Sequence, residues 1–349
     1  MSTPLTLPII PISPYLPSRK KEYSDTDRAE VARNLHRACR DIGFFYLKVD
    51  GYLTDSERKG VLDLGREFFL ESTEEEKAKI GLDKSDGVRG YQKLKQNITM
   101  GKADHHEGLD FCADTPYPPR ERRDDAGQLK PLGGENQWPE RPVAFRAQME
   151  DWIEKMKALG MAVMEAMADG LGMNAAEWEE LRSMVEDSFW VTRVIGAEGV
   201  SCGAHKDYGC LTLLHADDTP KALQVFLRPT PVPGQPLVDN EQGVWIDADP
   251  IPGCFVVNVG EMWEIWTNGL YKSTLHRVVH RSPTYRVSLP FFFEPVFNAE
   301  IKPLEAAKRK IAQEGWLLDK HGTDYSQVRY GDFLLGEVSG NFSKPAEST

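Results

Sequence analysis

The sequence predicts a mixed α/β protein whose mainly β core, of sandwich or barrel type, is flanked by helices. Two observations carry this expectation. Between Phe189 and Pro295, short β-branched or alternating runs follow one another, most of them bounded by Gly, Pro, Asp or Asn. Ahead of them, Phe145, Met149, Trp152, Met156, Leu159, Val163 and Met167 recur at steps of three and four, the spacing of one long helix with a core-facing stripe. There is no internal repeat at a 20–50-residue period, which argues against a solenoid.

In chain order, Asp25 to Arg40 has helical spacing, with Val31, Leu35, Cys39 and Ile42 on one stripe, and Gly43 ends it. Phe44-Phe45-Tyr46-Leu47 then reads as a strand. Thr54-Asp55-Ser56-Glu57 is a capping box opening a helix through Phe69, and Ser72-Thr73-Glu74-Glu75 reads as another, opening a short charged helix. Residues 83–141, rich in Gly, Pro, Asp, Lys and Arg, read as long loops of the kind that cover a site. Asn174 caps a short helix through Leu181. The β region follows: Leu211–Leu214, Leu223–Phe226, Val244–Ile246, Cys254–Val257, His276–Val279 and Val287–Leu289. Pro303 to Glu314 returns to helix, and Ser339 to Thr349 reads as a frayed tail.

At 349 residues, 40% hydrophobic and 28% charged, the chain can bury a sizeable core. A net charge of −12 repels polyphosphate, so no nucleic-acid partner is expected. No apolar run approaches roughly 18 residues, so no membrane span is expected. The Pro- and Ser-broken N-terminus lacks the basic region of a signal peptide, and the C-terminus carries no lipidation or peroxisomal signal. Five cysteines, an odd number without a CxxC pair, argue for free thiols rather than disulfides or a zinc ribbon. A cytoplasmic location is the corresponding expectation. The sequence does not declare an oligomeric state.

The sharpest chemical signal is His205-Lys206-Asp207. Residues i and i+2 of a strand project to one side, so an imidazole and a carboxylate can reach one ion. A second, distant histidine would complete two His and one carboxylate, the open triad of non-haem Fe(II) oxygenases; a zinc site more often closes its shell with cysteine or a third histidine. Alone, such a motif is more often a surface or hydrogen-bonded pair, by roughly four to one. His276 lies downstream in Ser273-Thr274-Leu275-His276-Arg277-Val278-Val279. Arg286-Val287-Ser288 follows, placing a guanidinium and a hydroxyl on one strand face where both can hold one carboxylate.

These segments, with Gly203-Ala204-His205-Lys206-Asp207-Tyr208-Gly209, Val256-Val257-Asn258-Val259-Gly260-Glu261-Met262 and Thr267-Asn268-Gly269, resemble the 2-oxoglutarate- and Fe(II)-dependent dioxygenases of the isopenicillin N synthase-like group in order and spacing. Leu7-Pro8-Ile9-Ile10 and Arg40-Asp41-Ile42-Gly43-Phe44-Phe45 resemble that family's N-terminal region, so the similarity covers most of the chain. The resemblance implies a double-stranded β-helix, or jelly roll. It implies Fe(II) on His205, Asp207 and His276, and the distal carboxylate of 2-oxoglutarate on Arg286 and Ser288. It implies a small organic substrate oxidised with O2 by hydroxylation, desaturation or ring rearrangement, with succinate and CO2 released. The expected organisation is an N-terminal non-haem dioxygenase region over 1–120, a loop and helical region over 121–185, the jelly-roll core over 186–298, and a C-terminal helix and tail over 299–349. Two other readings stand beside it: an isopenicillin N synthase-type iron oxidase that uses no 2-oxoglutarate, and a catalytically silent jelly-roll binding protein.

The chain departs from the family pattern in Thr192-Arg193-Val194-Ile195-Gly196-Ala197. Ala197 stands where the family carries a Tyr that holds the cosubstrate, and Ile195 where it often carries an Asn. Arg193 is a candidate for that contact or for the substrate. Tyr91, in a segment resembling one that lines the family's pocket, is a second substrate candidate. Phe292 is a third: if the strand runs past Pro290, even-numbered positions share the face of Arg286 and Ser288, and Phe291 and Phe293 point to the core. His280, four residues past His276, would stand about 13 Å along a strand, too far to share the ion. His215 and Asn258 read as hydrogen-bonded structural residues, Trp190, Trp263 and Trp266 as core, and His105-His106 as a polar loop or a substrate contact.

Overall fold

The computed structural model describes residues 6–94, 98–99, 102–103, 106–197, 202–229, 234, 242–317 and 325–341. The N-terminal half alternates short strands with helices: β1 (Ile9–Pro11), α1 (Asp25–Asp41), β2 (Phe44–Lys48), α2 (Asp55–Glu71), α3 (Glu74–Lys79), β3 (Gly90–Gln92), β4 (Ile98–Thr99), β5 (Lys102–Ala103), β6 (His106–Cys112), α4 (Phe145–Leu171) and α5 (Ala175–Ser183). A run of strands follows: β7 (Val191–Ala197), β8 (Cys202–His205), β9 (Leu211–Ala216), β10 (Leu223–Leu227), β11 (Val244–Asp247), β12 (Cys254–Val259), the short α6 (Glu261–Trp266), β13 (His276–Val278) and β14 (Arg286–Phe293). The chain closes with β15 (Glu300–Ile301), α7 (Glu305–Glu314), β16 (Val328–Arg329) and α8 (Tyr330–Asn341).

Local chemistry sets these boundaries. Ser24 caps α1 by accepting from the Asp27 amide while Asp27 accepts from the Ser24 amide, and Val31, Leu35 and Cys39 are buried on one stripe. Gly43 then turns the chain into β2 at φ +76°, where a Cβ would stand 2.0 Å from the Lys272 carbonyl oxygen. Thr54 with Glu57 and Asn174 with Glu177 cap α2 and α5 in the same reciprocal way. α3 starts one residue later than its sequence suggests: Thr73, paired with Glu76, is the cap, and not Ser72. α4 runs 27 residues, buries its Phe145–Met167 stripe and ends at the left-handed Gly172.

The strands form two main sheets. The larger has the order β1-β2-β12-β9-β14-β7-β6-β3 and the smaller β11-β10-β13-β8. Apart from the parallel β1–β2 pair, their ladders are antiparallel. Mixed α/β construction around an antiparallel core is the expected architecture. The hydrophobic core reaches from Ile10 in β1 to Leu334 in α8 and includes Trp263 and Trp266. Trp190 is only half-buried and stacks on Phe291, with ring centroids 6.1 Å apart.

Two expectations are refined. Residues 83–141 are largely loop, but β3 and the seven-residue β6 within them belong to the large sheet, with β6 pairing along β7. The polar sequence of β6 hid it. Glu107 and Asp110 sit inside the sheet because each finds partners, Glu107 in Lys77, Tyr91 and Tyr285, and Asp110 in Arg193. α8 continues to Asn341 despite Gly331, Gly336 and Gly340, so the expected tail is helical over its first three residues, and the rest lies outside the described residues. Packing of Tyr330 and Leu334 into the core supplies what helix propensity does not. No helix among the described residues is long and apolar enough to cross a membrane.

Candidate metal and cosubstrate site

β8 and β13 pair with His205 opposite His276. Asp207 follows two residues beyond β8, where its backbone carbonyl accepts from the Glu261 amide (2.9 Å) and the Ser273 hydroxyl (3.2 Å). The outcome is a cluster in which one ligand atom from each of His205, Asp207 and His276 lies within 4.8 Å of the others. Asp207 Oδ1 stands 3.6 Å from Nε2 of both histidines.

The rest of each side chain is already engaged. His205 Nδ1 is 2.8 Å from the Gly203 carbonyl oxygen and His276 Nδ1 is 3.0 Å from that of Thr274. A ring nitrogen facing a carbonyl must carry a proton, so Nε2 is the nitrogen each ring turns to the cluster and the one that offers a lone pair once its own proton is off. Asp207 Oδ2 accepts from the Thr212 hydroxyl and from Asn258 Nδ2 (2.6 Å), leaving Oδ1 turned inward. Burial pushes the His276 imidazole below its ordinary range. Burial also acts to lower His205, but the Asp207 carboxylate and Cys202 outweigh it and hold this imidazole well above its ordinary value. Against the same burial, the two imidazoles keep Asp207 ionised. Two nitrogens and one oxygen on one side of a common point fit a divalent transition metal of the two-His-one-carboxylate type, with positions left open on the other side.

Arg286 and Ser288 lie on β14 and are 4% and 2% exposed, with Arg286 Nη1 donating to the Ser288 hydroxyl oxygen at 3.0 Å. The guanidinium Nε is buried without a hydrogen-bond partner, and burial pushes the group below its ordinary pKa. A buried guanidinium with an unused donor beside a hydroxyl fits the carboxylate of a small dicarboxylate.

Both groups open on one cavity of about 430 Å³. The alternation of β14 holds along its length: Arg286, Ser288, Pro290 and Phe292 all line the cavity, while Phe291 and Phe293 are fully buried in the core. Arg193 also lines it, held by two hydrogen bonds to Asp110 (2.7 and 2.6 Å) and one to Gln92 (3.2 Å). Ile195 is in the wall as well, but Ala197 is not.

Tyr91 does not line the cavity. It is buried against Phe68 and donates to Glu107 at 2.6 Å. His280 stands apart from the cluster, with Nε2 on the Thr284 carbonyl at 2.8 Å and Nδ1 buried without a partner; His215 Nε2 meets the Arg58 carbonyl at 2.8 Å. His106 lines the cavity, whereas His105 lies outside the described residues. The reading of Asn258 as a hydrogen-bonded residue holds, and its partner is Asp207 itself. Thr212 was not singled out by sequence. Its one signal is a polar residue in the apolar run Leu211–Leu214.

Two family models match the chain: the N-terminal region of non-haem dioxygenases in morphine synthesis over residues 7–141, and the 2OG-Fe(II) oxygenase superfamily over residues 196–295. A homoarginine-6-hydroxylase from Glycine max is 38% identical over 353 residues, covering 97% of each chain. The 2-oxoglutarate-dependent dioxygenase caaD of Aspergillus niger is 30% identical over 317 residues, covering 87% of this chain and 90% of its own. A full-length Neurospora crassa protein, solved in complex with alpha-KG and thymine, superposes with a TM-score of 0.73 at 22% identity, covering 97% and 98% of the two chains, and so shares the fold. The chain therefore belongs to the 2OG-Fe(II) oxygenase superfamily and is a non-haem, 2-oxoglutarate-dependent dioxygenase.

Proposed function

We propose that the protein hydroxylates a small cationic amino acid, with Fe(II) held by His205, Asp207 and His276 and the distal carboxylate of 2-oxoglutarate held by Arg286 and Ser288. The observation that carries the site is the inward convergence of Nε2, Nε2 and Oδ1 while the opposite atoms are tied to protein partners. The substrate class is supported by relatives named as homoarginine-6-hydroxylases that match nearly the whole chain at 38% identity.

Iron, 2-oxoglutarate and O2 together supply the oxidising power that turns a C–H into a C–OH, with succinate and CO2 as co-products. The chain's own residues supply geometry. Thr212 and Asn258 keep Asp207 from rotating, and the Gly203 and Thr274 carbonyls fix both imidazole tautomers. Leu214, Leu223, Val278 and Phe292 make the neighbouring wall apolar, which keeps water from the reacting carbon. Phe292 and the Asp110-braced Arg193 are the substrate-orienting residues of this reading.

The jelly-roll segment 186–298 carries the chemistry in this reading, with 1–120, 121–185 and 299–349 as its supports. The five free cysteines favour a reducing, cytoplasmic setting, and the acidic net charge disfavours nucleic acid.

The test is turnover of the iron-loaded protein with 2-oxoglutarate, O2 and L-homoarginine. Succinate and a product heavier by one oxygen atom are expected. No substrate-stimulated succinate with homoarginine, arginine or lysine would overturn the substrate class.

A further inference from the structure

The even-numbered face of β14 does not end at Phe292. Glu294, the next residue on that face and 3% exposed, also lines the cavity. Strand register separates it from the cosubstrate clamp. Thr212, which holds Asp207, pairs with Phe292, whereas Ser288 pairs with Ala216. Arg286 and Ser288 thus lie on one side of the Thr212 row, and Glu294 on the other. The turn after Asp207 presses on the carboxyl: a Cβ at Gly209 would stand 1.8 Å from Glu294 Oε1, and Oε2 accepts from the Cys210 amide at 2.7 Å.

Glu294 has no ion-pair partner among the described residues. The Asp110 carboxylate in the same wall is neutralised by Arg193, and Lys206 pairs with Glu264 at 3.7 Å. Beside Glu294 in the cavity wall lies Tyr330, 0% exposed, whose hydroxyl reaches the Glu294 carboxyl closely enough for each to shift the other, though short of good hydrogen-bond geometry. Leu334 and Glu337 of α8 continue that wall, with the exposed Glu337 adding a second carboxylate at its outer end. A buried carboxylate left without a cation is unfavourable unless a ligand brings one.

We infer that Glu294, with the Tyr330 hydroxyl, receives the cationic end of the substrate, a guanidinium or ammonium, on the side of the metal row opposite the 2-oxoglutarate clamp. Burial pushes the Glu294 carboxyl up to about 8, and a cation placed against it would draw it back to the ionised form. The inference rests on the proposed reading of the site and assigns its specificity to one residue.

The test uses the full chain loaded anaerobically with Mn(II) and 2-oxoglutarate, titrated calorimetrically with L-homoarginine and with its uncharged isostere L-homocitrulline. Wild type is expected to bind homoarginine at least about tenfold more tightly, since an unpaired buried acid rejects the neutral analogue. Glu294→Gln should erase that preference while leaving 2-oxoglutarate affinity unchanged, and Glu294→Asp should restore part of it. Equal wild-type affinity for the two compounds, or an unaltered preference in Glu294→Gln, overturns the role of Glu294 without touching the iron and cosubstrate site. Failure of wild type to bind either compound overturns it together with the proposed substrate class. The wild-type comparison stands even where the variant is poorly folded.

Discussion

His205 and His276 face each other across the β8–β13 ladder, with ring centroids 4.3 Å apart and each Nδ1 turned to a backbone carbonyl two residues before it in sequence. Two residues seventy-one positions apart thus present the same nitrogen in the same tautomer, and Asp207 Oδ1 completes the set. His276→Ala is expected to abolish both turnover and Mn(II) binding. Calorimetry under anaerobic conditions checks it, and retained metal binding would move the ligand elsewhere.

Asn258 and Thr212 both hold Oδ2 of Asp207, the proposed metal ligand, and so would act on the metal through it. Asn258→Ala should weaken metal binding about 10- to 100-fold, as loss of a partner that orients a ligand does. The Fe(II) requirement for turnover should rise in parallel, while the 2-oxoglutarate requirement measured at saturating iron stays near wild type. A shift confined to 2-oxoglutarate would contradict this role.

Arg286 is a guanidinium sealed in the protein with an unused donor. Arg286→Ala should raise the 2-oxoglutarate requirement about 100-fold, the worth of one or two charge-assisted hydrogen bonds. Arg286→Lys should recover little, because an ammonium lacks the planar fork. Steady-state kinetics at varied 2-oxoglutarate reads both, and wild-type behaviour in the lysine variant would mean a point-charge contact.

The same burial predicts a stability effect of opposite sign. Arg286→Met should stabilise the ligand-free protein by on the order of 1 kcal/mol, and so raise its melting temperature, because it removes a buried charge whose nearby acid, Asp217, already pairs with Arg66. Wild type should gain stability on adding 2-oxoglutarate and the variant should not. Thermal scans with and without 2-oxoglutarate decide it; a ligand-free variant less stable than wild type would show that Arg286 is structural.

His215 is buried between Trp152 and Phe255, and burial holds its imidazole down at about 4. His36, beside Tyr271, is also held down at about 4, burial outweighing the opposing pull of the Glu314 carboxylate 3.0 Å from its Nε2. In the unfolded chain both titrate near 6.5. Between these values the unfolded state binds more protons, so stability is full above about pH 6.5 and falls as the pH drops toward 4. Each residue accounts for up to about 3 kcal/mol of that loss. Urea denaturation at pH 7.5 and pH 5 should show the drop, and His215→Gln should reduce its slope. An unchanged slope in the variant would locate the acid sensitivity elsewhere.

Much of this protein is written in local spacing and residue type. The stripes of α1 and α4, the caps of α2 and α5, the short strands after Phe189, the order His205, Asp207, His276, Arg286, Ser288, and the inward face of β14 are all periodicities or motifs within a few residues, and a 2.0 or 3.6 repeat is legible without a fold. Tertiary structure alone decided the features that depend on partners far along the chain. β6 is a strand because Lys77 and Arg193 neutralise its buried acids. α8 holds because Tyr330 and Leu334 find the core, Tyr91 turns from the cavity to Glu107, and Thr212 and Asn258 meet on Asp207. A buried charge or hydroxyl is tolerated only where a complementary group arrives, and no local pattern records which distant residue that will be.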